Sequence, residues 1–315
     1  MTFGGFSVVK NIFDKFKTIE ELNNIPKGDM PGDKINIDFG HLKKVINILP
    51  DLLKTLIPLV DNHPYNRVVI SVSGGSGTGK SEIASLLSYY FNQTGFGSYN
   101  LSGDNYPHRI PQYNDAERLR IFRQSGIKGL IVQGQYLHER RKILSELQNS
   151  NHDCNPDLVK NHPWMLIYQN EGKNGLRSYL GTPKEINFSE LNEIISQFKN
   201  GADKLFLRRM GRKEWEIWYE LINFKNIKVL VIDWTHGISH FLNGIDIPVL
   251  LGSKPQDTLK FRKSRNRDSG IDSPFTDMVL DIEQELLIAQ ASEAKLIVSA
   301  NGEIISYNEY IKAMR

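Results

Sequence analysis

The sequence predicts an α/β protein with a doubly wound, mainly parallel β-sheet and helices on both faces of the sheet. The first observation is a set of short apolar runs, rich in β-branched residues, which is typical of strands buried on both faces. These runs are residues 67–73, 227–232, 247–251 and 295–298. The second observation is that stretches of helical character, such as 81–92 and 277–291, separate the runs. An alternation of strands and helices favours a parallel sheet.

The chain is predicted to consist of a helical extension, residues 1–65, followed by one larger domain, residues 66–315. Within the larger domain, a polar stretch at about 138–185 interrupts the pattern of strands and helices. This stretch is interpreted as an insertion or a lid.

The extension itself is predicted to hold two amphipathic helices. Apolar residues recur at helical spacing at 41–49 and again at 52–57, and Pro50 lies between the two segments. Because proline lacks an N–H group and clashes with the preceding turn, Pro50 is expected to break the helix.

The composition is that of an ordinary globular protein, with 40% hydrophobic and 24% charged residues among 315. No apolar run is long enough for a membrane span or a secretory signal, so a soluble, cytoplasmic protein without a membrane partner is expected. Cys154 is the only cysteine, which excludes an internal disulfide. A formal net charge of +3 is too small to indicate a nucleic-acid partner. The expected partner is a small molecule, and a homodimer is left open.

A phosphate-binding motif, G-x-x-x-x-G-K-[ST], follows the first apolar strand and opens a helix. Its residues are Gly74, Gly75, Ser76, Gly77, Thr78, Gly79, Lys80 and Ser81. Glycines let the backbone N–H groups of such a loop point at phosphates. Lys80 is expected to bridge the β- and γ-phosphates, and the Ser81 hydroxyl to bind Mg²⁺. The motif therefore predicts ATP and Mg²⁺ as cofactors, with GTP as an open alternative to ATP.

The rest of the sequence favours a kinase among the proteins that carry this motif. It contains neither the Asn-Lys-x-Asp guanine reader of GTPases nor the Leu-Ser-Gly-Gly-Gln signature of transporter ATPases. Asp233 ends an apolar strand, where an acid that binds the metal ion belongs. Asp104 follows a short strand at 98–102 and is interpreted as the base or orienter of an acceptor hydroxyl.

Basic residues could neutralise the charge that spreads over a transferred phosphoryl group. Arg262, Arg265 and Arg267 lie on a helix or at its exit, and a mobile segment there could close over the γ-phosphate. The residues that follow Asp104 are the candidates for contact with the acceptor, although a solvated helix face is an equal alternative for the basic ones. These candidates are Asn105, Tyr106, His108, Arg109 and Arg118.

The region 67–287 resembles the uridine kinase and phosphoribulokinase group of P-loop kinases. The resemblance rests on the order of five features: the phosphate loop, Asp104 after a strand, the stretch 191–201 ahead of a basic segment, the strand 229–233 leading into His236-Gly237, and the arginine-rich segment 262–268. It implies ATP, Mg²⁺ and a hydroxyl acceptor on a sugar, a sugar phosphate or a nucleoside. It also implies a catalytic role for Asp104 and a lid at 262–267. The chain departs from the group where Asp233-Trp234 replaces the usual Glu-Gly.

Two alternatives to this function stay open at the level of sequence. The segment 101–109, followed by Asp115, Arg118 and Arg120, is similar to the Gly-Asp-Asn segment of adenylylsulfate kinases, in which it contacts the acceptor. That resemblance covers some two dozen residues and implies adenylylsulfate as the acceptor. The other alternative is a nucleotide-binding regulatory protein that keeps the loop without turnover.

Overall fold

The fold is an α/β sheet protein, seen in a computed structural model that describes residues 12–213, 215–265 and 273–314. The strands are β1 Val68–Gly74, β2 Ser98–Ser102, β3 Lys204–Met210, β4 Ile217–Asn223, β5 Val229–Asp233, β6 Ile247–Leu251, β7 Leu296–Val298 and β8 Ile304–Ile305. The helices are α1 Ile19–Asn23, α2 Phe39–Asn62, α3 Lys80–Gln93, α4 Pro111–Val132, α5 His138–Asn149, α6 Leu158–Asn161, α7 Met165–Arg177, α8 Phe188–Lys199, α9 Pro255–Arg265, α10 Pro274–Gln290 and α11 Tyr307–Met314.

Six strands form the central sheet in the order β2-β5-β1-β6-β7-β8, and all neighbours are parallel except β7 and β8. The register places Asp233 between Val72 of β1 and Ser102 of β2. Because the strands run in the same direction, their carboxyl ends lie at one edge of the sheet, where ligands bind in doubly wound folds.

Alternate residues of the central strands pack against helices on opposite faces of the sheet. Val68, Ile70 and Val72 belong to a core shared with α2 and α3, whereas Val69 and Leu230 belong to a core shared with α8. The predicted doubly wound fold with helices on both faces is confirmed. A separate antiparallel ribbon of β3 and β4 follows α8.

The prediction that Pro50 splits the first helical segment is wrong, because α2 runs without a break through both Pro50 and Pro58. An internal proline costs about 3 kcal/mol. One face of α2 buries eight apolar residues, each worth about 1.5–3 kcal/mol, so burial outweighs the two prolines. These residues are Leu42, Val45, Ile48, Leu49, Leu52, Leu53, Leu56 and Val60.

The polar stretch at 138–185 is largely helical, since it contains α5, α6 and α7. α7 packs along α4, and the Tyr168 ring meets the Phe122 ring edge-on at 5.4 Å between centroids. Asp153 is fully buried there and binds Arg123 at 3.0 Å. None of the helices in the described ranges has the length and apolar character needed to cross a bilayer.

Candidate active site

The phosphate-binding loop joins the carboxyl end of β1 to the first turn of α3. Gly79 precedes α3 at φ +91°, in the left-handed region that strains other residues. A Cβ atom at this position would also lie 2.8 Å from Cδ2 of His41. The loop therefore requires glycine here, and glycine lets a phosphate approach the N–H groups at the start of α3.

Lys80 is the first residue of α3, and its side chain folds back over the loop. Its Nζ donates a hydrogen bond of 2.9 Å to the Gly75 carbonyl oxygen, which also accepts one of 2.9 Å from Thr78 Oγ1. The ammonium group is thus held over the concave side of the loop, within reach of a phosphate bound there.

Ser81 and Asp233, the two predicted metal ligands, lie side by side. Ser81 Oγ donates a hydrogen bond of 3.3 Å to Asp233 Oδ1, and both residues are buried. Burial, reinforced by the negative charge of Asp104, raises the pKa of Asp233 to about 7. A buried hydroxyl beside a carboxylate offers the oxygen ligands that Mg²⁺ prefers.

Asp104 lies on a single 3₁₀ turn, Gly103–Asn105, directly after β2. The turn packs against Trp234, since a Cβ atom on Gly103 would lie 2.1 Å from the Trp234 ring. Asp104 itself is exposed. The sheet thus brings Asp104 to the same edge as the phosphate loop and Asp233.

Asn105 and Tyr106 point into the protein rather than toward an acceptor space, and both are fully buried. Asn105 Oδ1 accepts a hydrogen bond of 3.0 Å from the Met210 backbone N–H. Within the described residues, the Tyr106 hydroxyl has no hydrogen-bond partner. The two residues therefore pack on the inner side of the turn that carries Asp104.

Arg118 of α4 lies in a cluster of charged groups beside the site. It binds the buried carboxylate of Glu185 at 2.7 Å and faces Glu283 of α10 at 3.8 Å. Although burial alone acts to raise the pKa of Glu185, Arg118 and the other donors outweigh it and keep that pKa below its usual value. The pKa of Glu283 is raised, mainly by burial, and the charges of Lys80 and Asp104 also act on it. Glu283 therefore connects this cluster to the phosphate loop.

His236 follows β5 and faces the same cluster. It is 9% exposed, and burial, together with the positive charges of Arg118 and Lys80, lowers its pKa to about 4 despite the opposing charge of Glu185. Its imidazole is therefore neutral at physiological pH, when it can both donate and accept hydrogen bonds.

His108 and Arg109 lie farther out, at the rim of the site. His108 is exposed and its Nε2 lies 3.0 Å from the Pro183 carbonyl oxygen. Arg109 donates to the Tyr179 hydroxyl at 3.1 Å. Arg123 is tied to Asp153 and Arg120 to Glu117, so the structure does not gather every arginine of α4 around one ligand space.

Arg262 of α9 lies against the phosphate loop, because a Cβ atom on Gly77 would be 3.1 Å from Arg262 Cγ. Its Nη1 donates to the Pro255 carbonyl oxygen at 2.6 Å and to Thr258 Oγ1 at 2.9 Å. The predicted Arg267 and the side chain of Arg265 lie outside the described part of the chain.

Sequence reasoning missed Asp29, Glu185 and Glu283, which contact the predicted site residues or face them. Asp29 Oδ1 accepts a hydrogen bond of 2.7 Å from the Ser102 N–H. None of the three lies in a recognisable motif, and each reaches the site through tertiary packing. Of the residues in this charged cluster that were not predicted as site residues, only His236 had a signal in the sequence, because it is part of the resemblance to the kinases.

The fold and this loop together define a P-loop nucleotide-binding protein. The chain is 39% identical over 244 residues, 78% of its length, to the bifunctional alpha-galactosidase/sucrose kinase AgaSK of Mediterraneibacter gnavus. It spans only 21% of the length of that relative. The name of the relative includes a kinase, so the predicted resemblance to small-molecule kinases is confirmed. No protein-family model matches the chain.

Solved structures of similar topology are more distant. The YGR205w protein aligns with 83% of this chain and 96% of its own, with 11% identity and a TM-score of 0.46. A "possible uridine kinase" from Bacillus stearothermophilus aligns with 78% of this chain and 98% of its own, with 12% identity and a TM-score of 0.39.

Proposed function

We propose that the protein is an ATP-dependent kinase that transfers the γ-phosphoryl group to a hydroxyl group of a sugar. The observation that carries the proposal is the meeting of three features at one sheet edge: the phosphate loop, the Ser81–Asp233 pair and Asp104. The similarity over 244 residues to a protein whose name includes a sucrose kinase supports the choice of a sugar.

ATP and Mg²⁺ are the cofactors of this proposal. Lys80 holds the β- and γ-phosphates, and Ser81 with Asp233 holds the metal ion. Among the described residues no group of three or more His, Cys, Asp or Glu side chains is arranged to hold a metal by itself. That agrees with Mg²⁺, which proteins usually bind through one or two carboxylates together with substrate phosphates. When bound, Mg²⁺ neutralises phosphate charge.

Asp104 is the acceptor-side group. Its carboxylate takes the proton of the acceptor hydroxyl while that oxygen forms a bond to the γ-phosphorus. The bond between the γ-phosphorus and the bridging oxygen breaks, and ADP leaves. Arg262, with Arg265 and Arg267, supplies positive charge at the transferred group, so most of the rate enhancement comes from positioning and charge neutralisation.

The charges beside the site favour an uncharged acceptor over a sugar phosphate. Arg118 faces three carboxylates, those of Asp115, Glu185 and Glu283, so its charge is already compensated. Arg109 is paired more loosely with Glu117, at 3.7 Å. Carboxylates and a neutral His236 are suited to the hydroxyl groups of a sugar, which need both donors and acceptors. We place the acceptor between Asp104, Arg118 and Glu283, with His108 and Arg109 at its rim.

The proposal is tested by incubating the protein with Mg-ATP and a panel of acceptors while ADP release is followed. The panel contains sucrose, galactose, fructose, fructose 6-phosphate, uridine and adenylylsulfate. We expect ADP release with an uncharged sugar, and transfer of a radiolabelled γ-phosphate to that sugar. Lys80→Ala should lower the rate by about a hundredfold or more.

Lys54→Ala is the matched control, because Lys54 is 76% exposed on α2 and pairs at the surface with the nearby Asp51. This variant should keep full activity. ATP binding without ADP release for any acceptor would contradict the kinase and favour the regulatory alternative. ADP release with adenylylsulfate alone would contradict the proposal that the acceptor is a sugar.

A further inference from the structure

Residues 24–36 form a closed loop at the base of the N-terminal segment; we name it the N-terminal loop. Asn23 closes it, since its Oδ1 accepts a hydrogen bond of 3.0 Å from the Ile37 N–H and its Nδ2 donates one of 3.4 Å to the Ile37 carbonyl oxygen. Ile25 and Ile35 are buried in the core at either end of the loop. The loop is therefore anchored on both sides, and its tip has a defined position.

Asp29, at the tip of the loop, is buried between the sheet and the β3–β4 ribbon. Its side chain is 8% exposed. Oδ1 accepts hydrogen bonds from the Ser102 N–H at 2.7 Å and from Asn105 Nδ2 at 3.1 Å. Oδ2 accepts one from the Tyr99 hydroxyl at 3.0 Å and pairs with Arg209 Nη1 at 2.9 Å.

The two partners of Oδ1 lie on either side of Asp104. Ser102 is the last residue of β2, and Asn105 is the last residue of the 3₁₀ turn that carries Asp104. One oxygen atom from the N-terminal loop thus holds both ends of this turn. The neighbouring Gly28 lies next to the metal-side acid, because a Cβ atom there would be 3.5 Å from Asp233 Oδ2.

We propose that Asp29 is a positioning residue for Asp104 and that the N-terminal loop is part of the kinase site. The inference rests on the proposed function for its catalytic part. The competing explanation is that Asp29 merely neutralises the buried Arg209 and so anchors the ribbon. The two explanations concern different oxygen atoms of Asp29. Oδ1 accepts the hydrogen bonds from the turn that carries Asp104, whereas Oδ2 contacts Arg209 and Tyr99.

Hydrogen exchange tests the structural part without any need for activity. In Asp29→Ala we expect the Ser102 amide to exchange about tenfold faster or more, because its acceptor is removed. The Ile83 amide of α3, bonded to the Gly79 carbonyl oxygen, should keep its protection. Tyr99→Phe is the control, since the Tyr99 hydroxyl contacts Oδ2 and Arg209 but not Oδ1, so this variant should leave the exchange of the Ser102 amide unchanged. Unchanged exchange at Ser102 in Asp29→Ala would overturn the proposal.

Arg209 pairs with both Asp29 and Glu220, so Asp29→Ala leaves its buried positive charge with Glu220 as the remaining carboxylate, which could prevent folding. The double variant Asp29→Ala/Arg209→Met removes that charge as well, and the same loss of protection at Ser102 is expected in it. If the Ser102 amide is protected again in the double variant, the role of Asp29 is only to neutralise Arg209, and the proposal is overturned.

Kinetics test the catalytic part. Asp29→Ala should lower kcat about tenfold or more while the KM for ATP changes less than about twofold. In an Asp104→Asn background the same substitution should change kcat less than about twofold, because Asp29 acts through Asp104. Losses that multiply in the double variant would overturn the proposal. A wild type without ADP release for any acceptor would instead contradict the kinase function, and hydrogen exchange would still decide the role of Asp29.

Discussion

The Ser81 hydroxyl donates a hydrogen bond to the Asp233 carboxylate across 152 residues of sequence, with 3.3 Å between Oγ and Oδ1. The sheet order produces this contact, because β5 lies beside β1 and pairs Asp233 with Val72. Ser81 lies in the first turn of the helix that follows β1, so two separate parts of the chain meet at one carboxyl edge. Two buried oxygen groups therefore lie side by side, and we propose them as ligands of Mg²⁺.

Ser81→Ala should weaken the binding of Mg²⁺ and so raise the Mg²⁺ concentration that the reaction requires. The substitution removes one of the two proposed oxygen ligands, so we expect the Mg²⁺ concentration for half-maximal activity to rise about tenfold or more. Titration of activity with Mg²⁺ at saturating ATP measures the effect. Ser88→Ala, at another buried serine of α3, should behave as wild type. Equal Mg²⁺ requirements in Ser81→Ala and Ser88→Ala would show that Ser81 does not bind the metal ion.

Gly103→Ala should destabilise the protein and lower its activity. A methyl group 2.1 Å from the Trp234 ring cannot be accommodated without movement of the turn or the ring. We expect the free energy of unfolding to fall by about 2–3 kcal/mol, as measured by urea denaturation. Combining it with Trp234→Leu should cost less than the sum of the two single changes, because the smaller side chain relieves the clash. Additive losses would show that the clash is absorbed elsewhere.

His236 should make the stability depend on pH in a defined window. Its pKa is about 4 in the folded protein, below the usual 6.5. Between these values the unfolded chain takes up a proton that the folded protein does not, so stability is full above pH 6.5 and falls as the pH drops. The difference between the two pKa values corresponds to about 3 kcal/mol of unfolding free energy. Between pH 7 and pH 5 the unfolding free energy should therefore fall less in His236→Gln than in the wild type. Parallel curves of unfolding free energy against pH would contradict the lowered pKa of His236.

Arg118→Met should be strongly destabilising, because it leaves the buried carboxylate of Glu185 without its cationic partner. Glu185 is 1% exposed, and loss of one partner of a buried pair costs about 3–5 kcal/mol. Urea denaturation of Arg118→Met/Glu185→Gln should show partial recovery. Arg120→Met provides the comparison, since Arg120 is 57% exposed and pairs with Glu117 at the surface. That change should cost less than about 1 kcal/mol.

The sequence was sufficient for those parts of the fold and site that depend on local pattern. The buried strands β1, β5 and β6 are mainly apolar and rich in β-branched residues, and the loop at 74–81 follows a fixed spacing, so both could be recognised. Asp233 could be assigned to a strand end because the apolar run stops there. The roles assigned to Asp104, Arg262, Arg265 and Arg267 stay predictions.

What the sequence could not indicate depends on contacts between distant segments. Asp29 lies in a loop without regular structure, and its role depends on Ser102, 73 residues away. The continuity of α2 through Pro50 depends on the core that buries Leu49 and Leu52, which local propensity does not include. Glu185 and Glu283 meet Arg118 only after the helices between them have packed.

The packing of α2 has a consequence for the order in which the chain is synthesised. Its apolar face shares a core with β1, β5 and β6, and β6 begins only at Ile247. During translation, α2 leaves the ribosome before every strand that covers it, and domains of this size complete their cores only when such distant strands arrive. The burial of α2 is therefore complete only after β6 has been made, and until then the nascent chain exposes part of this apolar surface, to which chaperones can bind.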